Sequence, residues 1–481
     1  MGSEAQKIKG KGVKEMAKKD LGKDKFGIQR VMRRRDYLGD CMGQFSLNAI
    51  SGLVGQLTYF YTDKVGLAAG AVATSFLIVR IIDAFTDLIM GYIVDHTKPG
   101  QEKYRPWLLR MVIPTAVLII MLFTVPSGLG SAFQMVYMFL TNFLLSAVIY
   151  TIICVPYSAL IVVRTSSQEE RSRMGTWRAA AGYVSGMVIA VAIIPITNML
   201  GGDQKAWIIF GGILGVIAAI LLFVTYKTSR ETNPADMEQS MQQPEEEGIP
   251  MKEAIGNLFH NKYWVMALVM GVCSNVVYGL GNSSGTYYAK WIYGNDNLMG
   301  IMGAVGMIPT LLGFLTIGLF IRFLGVTKTL QATFLLGSLS QILRLINPYD
   351  FTYNLILGCV STFANIPMMC VLGVLTAMAI DYNEYQFGKR MVASSQSATS
   401  FAGKIGNGVG TSMIGWCLAI AAYDPNAAVV TEATKQAIFT FNIYAPALMF
   451  VIMFICSLRF DLEKKLPGIH EEIAKRKSAK A

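Results

Sequence analysis

The sequence predicts an all-α membrane protein with twelve transmembrane helices in two six-helix bundles. Three observations carry this reading. Of the 481 residues, 53% are hydrophobic and 15% charged, whereas soluble domains average about 25% charged. The apolar residues fall in blocks long enough to cross a bilayer, which takes about 20 residues of helix. One polar stretch at 227–262, "KTSRETNPADMEQSMQQPEEEGIPMKEAIGNLFHNK", separates six such blocks from six others.

The spans read as 42–63, 69–95, 107–127, 131–163, 174–200, 206–227, 262–292, 297–324, 328–346, 351–380, 394–423 and 436–460. They define a basic N-terminal arm (1–41), an N-terminal bundle (42–227), a linker (228–261), a C-terminal bundle (262–460) and a tail (461–481). The 46 glycines suit close helix contact in lipid, where small residues let backbones approach. The linker is acidic, Pro-containing and poor in aromatics, so it reads as a tether with one short amphipathic helix near its end.

An even number of spans puts both termini on one side, and the Lys/Arg distribution selects the cytoplasm. The arm ends in "RVMRRRD", the 2–3 loop holds Lys98, Lys103 and Arg105, the 4–5 loop holds Arg164, Arg171 and Arg173, and the tail carries "AKRKSAK". The opposite loops show only Lys64, Lys205, Lys290 and Lys435. The expected location is the cell (inner) membrane, multi-pass. The net charge of +11 is spread over one membrane face, which calls for contact with anionic lipid and not for a nucleic-acid partner. The N-terminus has no apolar h-region and is not a signal peptide. The seven cysteines lack metal-ligand spacing and read as small buried thiols.

"RIIDAFTDLIMGYIVDHT" (80–97) puts charge inside a span. Arg80, Asp83 and Asp87 stand at i, i+3 and i+7, on one helix face. At 1.5 Å per residue, Asp87 lies about 12 Å and Asp83 about 18 Å from the span end at Asp95. Both are near the middle of a hydrocarbon core about 30 Å thick. A charge there costs about 2.5 kcal/mol or more, so it should face the bundle interior and have a partner. An Arg80–Asp pair could serve packing alone, but one Arg neutralises one carboxylate and a second remains. Two carboxylates one turn apart, with oxygen donors nearby, suit a small hard cation or a proton.

Thr151, in "VIYTIICVPYSALIVV" of span 4, lies at the depth of Asp83 and is the expected third ligand. Alone, a Thr in a span is usually a self-satisfied helix residue. In span 11, "SSQSATSFAGKIGNGVGTS", Lys404 lies about 15 Å deep, too far in to snorkel. A substrate or coupling role stands there against a structural ion pair. Arg178, in "MGTWRAAAGYVSG", is one to two turns inside span 5, where snorkelling competes with a functional role.

Six plus six spans around a central linker is the layout of major-facilitator transporters, whose site lies at midplane between the halves. Within that class, the chain resembles the glycoside–pentoside–hexuronide cation symporters, the group that includes the melibiose permease. "RIIDAFTDLIMGYIVD" looks like the family's span-2 signature of paired aspartates, and "GYIVDHTKPGQEKYRPWLL" like its 2–3 loop. "VPYSAL", "DYNEYQFGKR", "YLGDCMG" with Asp40, and "YFYTDKVGL" are also family-like, so the resemblance covers most of the chain. It implies a major-facilitator fold and alternating-access symport of a sugar or glycoside with Na⁺, Li⁺ or H⁺. It implies that Asp83 and Asp87 bind the cation with Thr151 beside them. Arg178 corresponds to the sugar-site arginine and Lys404 to a lysine that helps close the site. Arg80 and Asp40 take coupling or structural roles.

The departures concern the sugar. Leu47 and Cys154 stand where the melibiose permease has sugar-binding aspartates, and Ser158 where it has a stacking tryptophan. Thr86 replaces an asparagine and His96 a loop arginine. Galactoside recognition therefore does not carry over. With those carboxylates gone and Arg178 and Lys404 kept, an acidic sugar such as a hexuronide is expected ahead of galactosides, since Arg suits a planar carboxylate. The alternative is a neutral glycoside held by Asn, Ser and Tyr.

Other classes fit less well. A lipid or other non-sugar carrier of the same fold would want an apolar cavity, and "NSSGTYY" (282–288) argues against it. A transporter-like sensor would want a signalling domain, and the tail after Phe460 is short. His96, His260 and His470 form no cluster, and no nucleophile motif or phosphate loop is present, so an enzyme is not expected. No cofactor is expected beyond the coupling ion, and one chain is the expected transport unit.

Overall fold

A computed structural model describes residues 21–22, 30–95, 102, 104–165, 167–230, 251–388, 392–427 and 429–478. The expectations for His96, for most of the basic arm and for the middle of the linker lie outside the described residues.

Every regular element among them is helical. Helix α1 (Arg34–Gly55) continues through a short turn (Leu57–Tyr59) and a π turn (Phe60–Lys64), followed by α2 (Ala69–Asp95) and α3 (Arg105–Phe123). Next come α4 (Ser131–Phe143), a π turn (Leu144–Ile149), α5 (Tyr150–Arg164), α6 (Gln168–Met199) and α7 (Gln204–Thr228). Beyond the linker lie α8 (Met251–His260), α9 (Lys262–Trp291), α10 (Leu298–Leu324), α11 (Val326–Leu343) and α12 (Phe351–Phe387). The chain continues with α13 (Val392–Ile420), α14 (Glu432–Phe439), a third π turn (Thr440–Tyr444), α15 (Ala445–Arg459) and α16 (Leu462–Ser478).

Helix occupies each place where a span is read from the sequence. By length and apolarity, eight helical runs among the described residues can cross a membrane. The other four expected spans, α1, α2, α11 and α13, are helices of 22, 27, 18 and 29 residues.

The helices pack in two groups. Helix α1 lies against α6 and α7, α3 against α7, and α2 against α5. In the second group α11 lies against α12 and α15, α10 against α12, and α9 against α12 and α15. One buried core, around Leu53, Phe123 and Trp207, runs from the first group into the second through Tyr287, Ile414 and Phe441, and another, around Trp264, Phe334 and Phe450, lies within the second. Outward side chains such as Ile113 and Leu315 are 74% and 80% exposed, as lipid-facing positions require.

The groups meet chiefly where α13 lies against α2, and again between α6 and α10. Helix α13 touches two neighbours at backbone distance, and glycine makes this possible. A Cβ on Gly410 would lie 2.3 Å from the Val276 carbonyl of α9, and one on Gly415 would lie 2.6 Å from the Ala69 carbonyl of α2.

At the end away from the linker, polar contacts tie the two groups together. Asp63 accepts from Lys290 and from the Tyr423 hydroxyl (2.7 Å). Tyr59 donates to Asp296 Oδ2 at 2.9 Å, and Asn198 donates to Asp296 Oδ1 at 3.0 Å. Thr62 and Tyr287 share a hydrogen bond of 2.7 Å, and Ser283 donates to the Gly55 carbonyl. Rings of Tyr59, Tyr287 and Tyr423 pack edge-on around this seal.

Candidate cation and substrate site

Helix α2 presents Arg80, Asp83 and Asp87 toward α5 and α13. The Lys404 ammonium of α13 lies between the two carboxylates, 2.5 Å from Asp87 Oδ2 and 3.1 Å from Asp83 Oδ2. It also donates to the Asp83 backbone carbonyl at 3.2 Å. The Thr151 hydroxyl is 3.1 Å from Asp83 Oδ1 and 3.1 Å from Asp87 Oδ1. Arg80 Nη1 stands 3.8 Å from Asp83 Oδ2. Two cations and two carboxylates balance.

Local structure explains the meeting. Thr151 is the second residue after the π turn Leu144–Ile149, which inserts an extra residue per turn and re-aims the helix face after it. Such turns are frequent at functional sites. On α13, Gly408 lets the helix lie against Arg80, because a Cβ there would sit 2.9 Å from Arg80 Cβ.

The cluster opens on a cavity of about 640 Å³ between the two groups. Ser51, Ser146, Tyr150, Asn275, Tyr278 and Asn407 are among its polar walls, with Arg80, Asp83 and Lys404. A smaller space of about 120 Å³, reaching Asn142 and Thr411, adjoins it through shared residues. The lining extends along α12 to Thr376 and along α13 to Thr399, toward the end that bears the linker. The opposite end is the polar seal.

The structure thus brings Arg80, Asp83, Asp87, Thr151 and Lys404 together. It places Arg178 and Asp40 elsewhere. Arg178 grips Asp40 by two hydrogen bonds and lies over the Tyr157 ring at 3.7 Å. Arg164 Nη1 donates to the same carboxylate at 3.0 Å. Arg178 is not among the residues lining the cavity, nor are Leu47, Cys154 or Ser158. Leu47 is a core residue, 3% exposed.

The neutral walls were not singled out from sequence. Asn142, Asn275 and Asn407 are amides inside long apolar helices, and Asn407 follows Lys404 by one turn on the same face. An amide buried in a span wants a partner or a water-filled cavity, and that signal was there to read.

Membrane-length helices in two groups, around a cavity with a charged cluster at its wall, define a membrane transporter. A family model described as "MFS/sugar transport protein" matches residues 42–464, and the chain belongs to that family. The symporter YnaJ of Bacillus subtilis (strain 168) is 30% identical over 449 residues, covering 91% of this chain and 94% of that protein. The inner membrane symporter YicJ of Escherichia coli (strain K12) is 26% identical over 89% of this chain and 92% of its own length. The isoprimeverose transporter of Lactiplantibacillus pentosus is 26% identical over 89% of this chain and 88% of its own. Among solved structures, the nucleoside transporter NupG superposes with a TM-score of 0.64 at 13% identity, over 87% of this chain and 99% of that one. A bacterial homologue of the lysosomal transporter Spinster, in an inward-facing unoccupied conformation, gives 0.62 at 14% identity, over 90% and 97%. These two likenesses show the fold alone. The resemblance to glycoside–cation symporters read from the motifs agrees with the relatives found.

Proposed function

We propose that the protein is a symporter, not an enzyme, that carries a neutral, hydroxyl-rich sugar or glycoside together with Na⁺, Li⁺ or H⁺ by alternating access. The observation that carries this is Asp83 at the wall of a cavity whose neutral polar lining is Ser, Thr, Asn and Tyr, with Asp87 gathered beside it by the shared Thr151 hydroxyl. The carboxylates and hydroxyl suit a monovalent cation or a proton. The neutral walls suit sugar hydroxyls, and the half-exposed ring of Tyr278 offers a face for a pyranose. The expected preference for an acidic sugar rested on unpaired charge at Arg178 and Lys404. Arg178 is held by Asp40 outside the cavity, so the guanidinium that would grip a sugar carboxylate is absent from the walls, which favours the neutral glycoside. Relatives named as glycoside or sugar carriers support the substrate class.

With the Lys/Arg-rich face taken as cytoplasmic, both termini and the linker lie inside the cell. The cavity then faces inward and the Asp63 seal closes the outside. The single chain is the transport unit, in contact with the bilayer.

Reconstitution in liposomes tests the reading. An imposed ion gradient should drive accumulation of labelled glycoside by the wild type. Asp83→Asn and Asp87→Asn should abolish accumulation while some downhill exchange survives. Full accumulation by either variant overturns the cation site.

A further inference from the structure

We propose that Lys404 is a resident counter-cation: its ammonium holds the coupling ion's place in the unloaded carrier and is released into the cavity when the ion arrives, where it binds the sugar. The proposal rests on the reading of Asp83 and Asp87 as the cation site.

The geometry is that of an occupied site. Three oxygens, from Asp87 Oδ2, Asp83 Oδ2 and the Asp83 carbonyl, surround Nζ at 2.5 to 3.2 Å. The Thr151 hydroxyl stands 3.1 Å from each of the other two carboxylate oxygens and donates to one of them at a time. Arg80 and Lys404 balance the two aspartates, so an added monovalent ion would leave one uncompensated positive charge. Asp83 is 3% exposed, and charge in such surroundings is poorly screened. The ion and the ammonium also compete for the same oxygens. Arrival of one therefore displaces the other.

Lys404 has somewhere to go. Its side chain is 25% exposed and lines the cavity with Ser400 and Asn407 of its own helix. The four-carbon stem is flexible, and the freed ammonium carries three donors for sugar hydroxyls. Bound sugar that engages Lys404 strips Asp87 of its cation, and the coupling ion restores it. The two ligands thus favour each other, reciprocally. In the unloaded carrier Lys404 keeps the carboxylates neutralised, so the two halves can return without the ion.

Two measurements on the purified full-length protein decide this. The first is calorimetric titration with NaCl alone. Lys404→Met should bind Na⁺ about tenfold more tightly than wild type, or better, within the usual range of site–site couplings. The second is the acetylation rate of Lys404 in the wild type, mapped by mass spectrometry, which saturating Na⁺ should raise severalfold. The second readout needs no folded variant. An Na⁺ affinity that is unchanged or weaker in folded Lys404→Met, or an acetylation rate indifferent to Na⁺, overturns the proposal. The underlying reading fails in a different way, through Asp83→Asn and Asp87→Asn both keeping the wild-type Na⁺ affinity.

Discussion

Arg178 holds Asp40 with two parallel hydrogen bonds, Nε to Oδ2 at 2.6 Å and Nη2 to Oδ1 at 2.9 Å. The Asp40 carboxylate is 1% exposed, and Arg164 donates to it as well. Three helices, α1, α5 and α6, are pinned at one point. Removing one partner of a buried pair leaves an uncompensated charge, at a cost of about 3–5 kcal/mol.

Asp40→Asn should therefore lower thermal stability strongly, since two buried guanidinium groups lose the carboxylate they share. Arg178→Lys should recover little, because an ammonium cannot supply the paired donors of the guanidinium. Glycoside affinity measured on the folded fraction of Arg178→Gln should stay close to wild type. A stable Arg178→Gln protein that has lost glycoside binding would return Arg178 to the substrate.

Asp63 closes the face away from the linker, with Lys290 and Tyr423 from the other helix group on one carboxylate. Asp63→Asn weakens both contacts and should shift the carrier toward opening on that face. A single cysteine at Ser51, on the cavity wall, should then be labelled by an impermeant maleimide from outside severalfold faster than in the parent. An unchanged labelling rate would show that the aromatic packing of Tyr59, Tyr287 and Tyr423 closes the face without Asp63.

What could be read from sequence was whatever depends on spacing along one helix. The depth match of Asp83 and Thr151 is such a quantity, because rise per residue is constant, and the structure puts the two side chains 3.1 Å apart. The exceptional depth of Lys404 belongs with it. What could not be read depends on helix rotation and on pairing between helices. Arg178 one turn inside a span is compatible with snorkelling, with a sugar and with Asp40, and only the rotation of α1 against α6 selects Asp40. Arg164 counted as a loop charge, yet it ends α5 buried at 3% exposure beside Asp40. The π turn before Tyr150 leaves no mark in an apolar run, although it aims Thr151. Asp63 and Lys290 sit at span ends, where a charge at the membrane surface and one bridging two bundles look the same.

Glu463, at the start of α16, caps α11. Its carboxylate accepts from the backbone N–H of Val326 at 2.9 Å and of Thr327 at 2.8 Å. Partial burial pushes its pKa up, but these backbone donors outweigh it and hold the carboxyl below its ordinary 4.5. A depressed carboxylate pKa contributes stability that is present above the ordinary value and is lost as pH falls through the lower folded value. Wild type should therefore be more stable than Glu463→Gln near neutral pH, and the gap should close in acid below that range. Melting curves of the two proteins across pH check this, and a gap that persists or widens in acid would remove the cap from Glu463.

Thr151 has one hydroxyl proton and two carboxylate neighbours at equal distance, so it can donate to only one at a time. The hydroxyl oxygen still has lone pairs available to a cation seated between Asp83 and Asp87. Thr151→Val keeps the shape and removes the oxygen without altering the charge balance of Arg80, Lys404 and the aspartates. Ion affinity should fall about tenfold, equivalent to about 1.4 kcal/mol, while glycoside affinity measured without the ion changes little. Thr151→Ser, which restores the oxygen with a smaller side chain, should recover most of the loss. The measurement is ion titration of the purified variants. If Val binds the ion as well as Thr, the hydroxyl only fastens α5 to α2. The ion site is then made of the two carboxylates and of whatever Lys404 leaves behind.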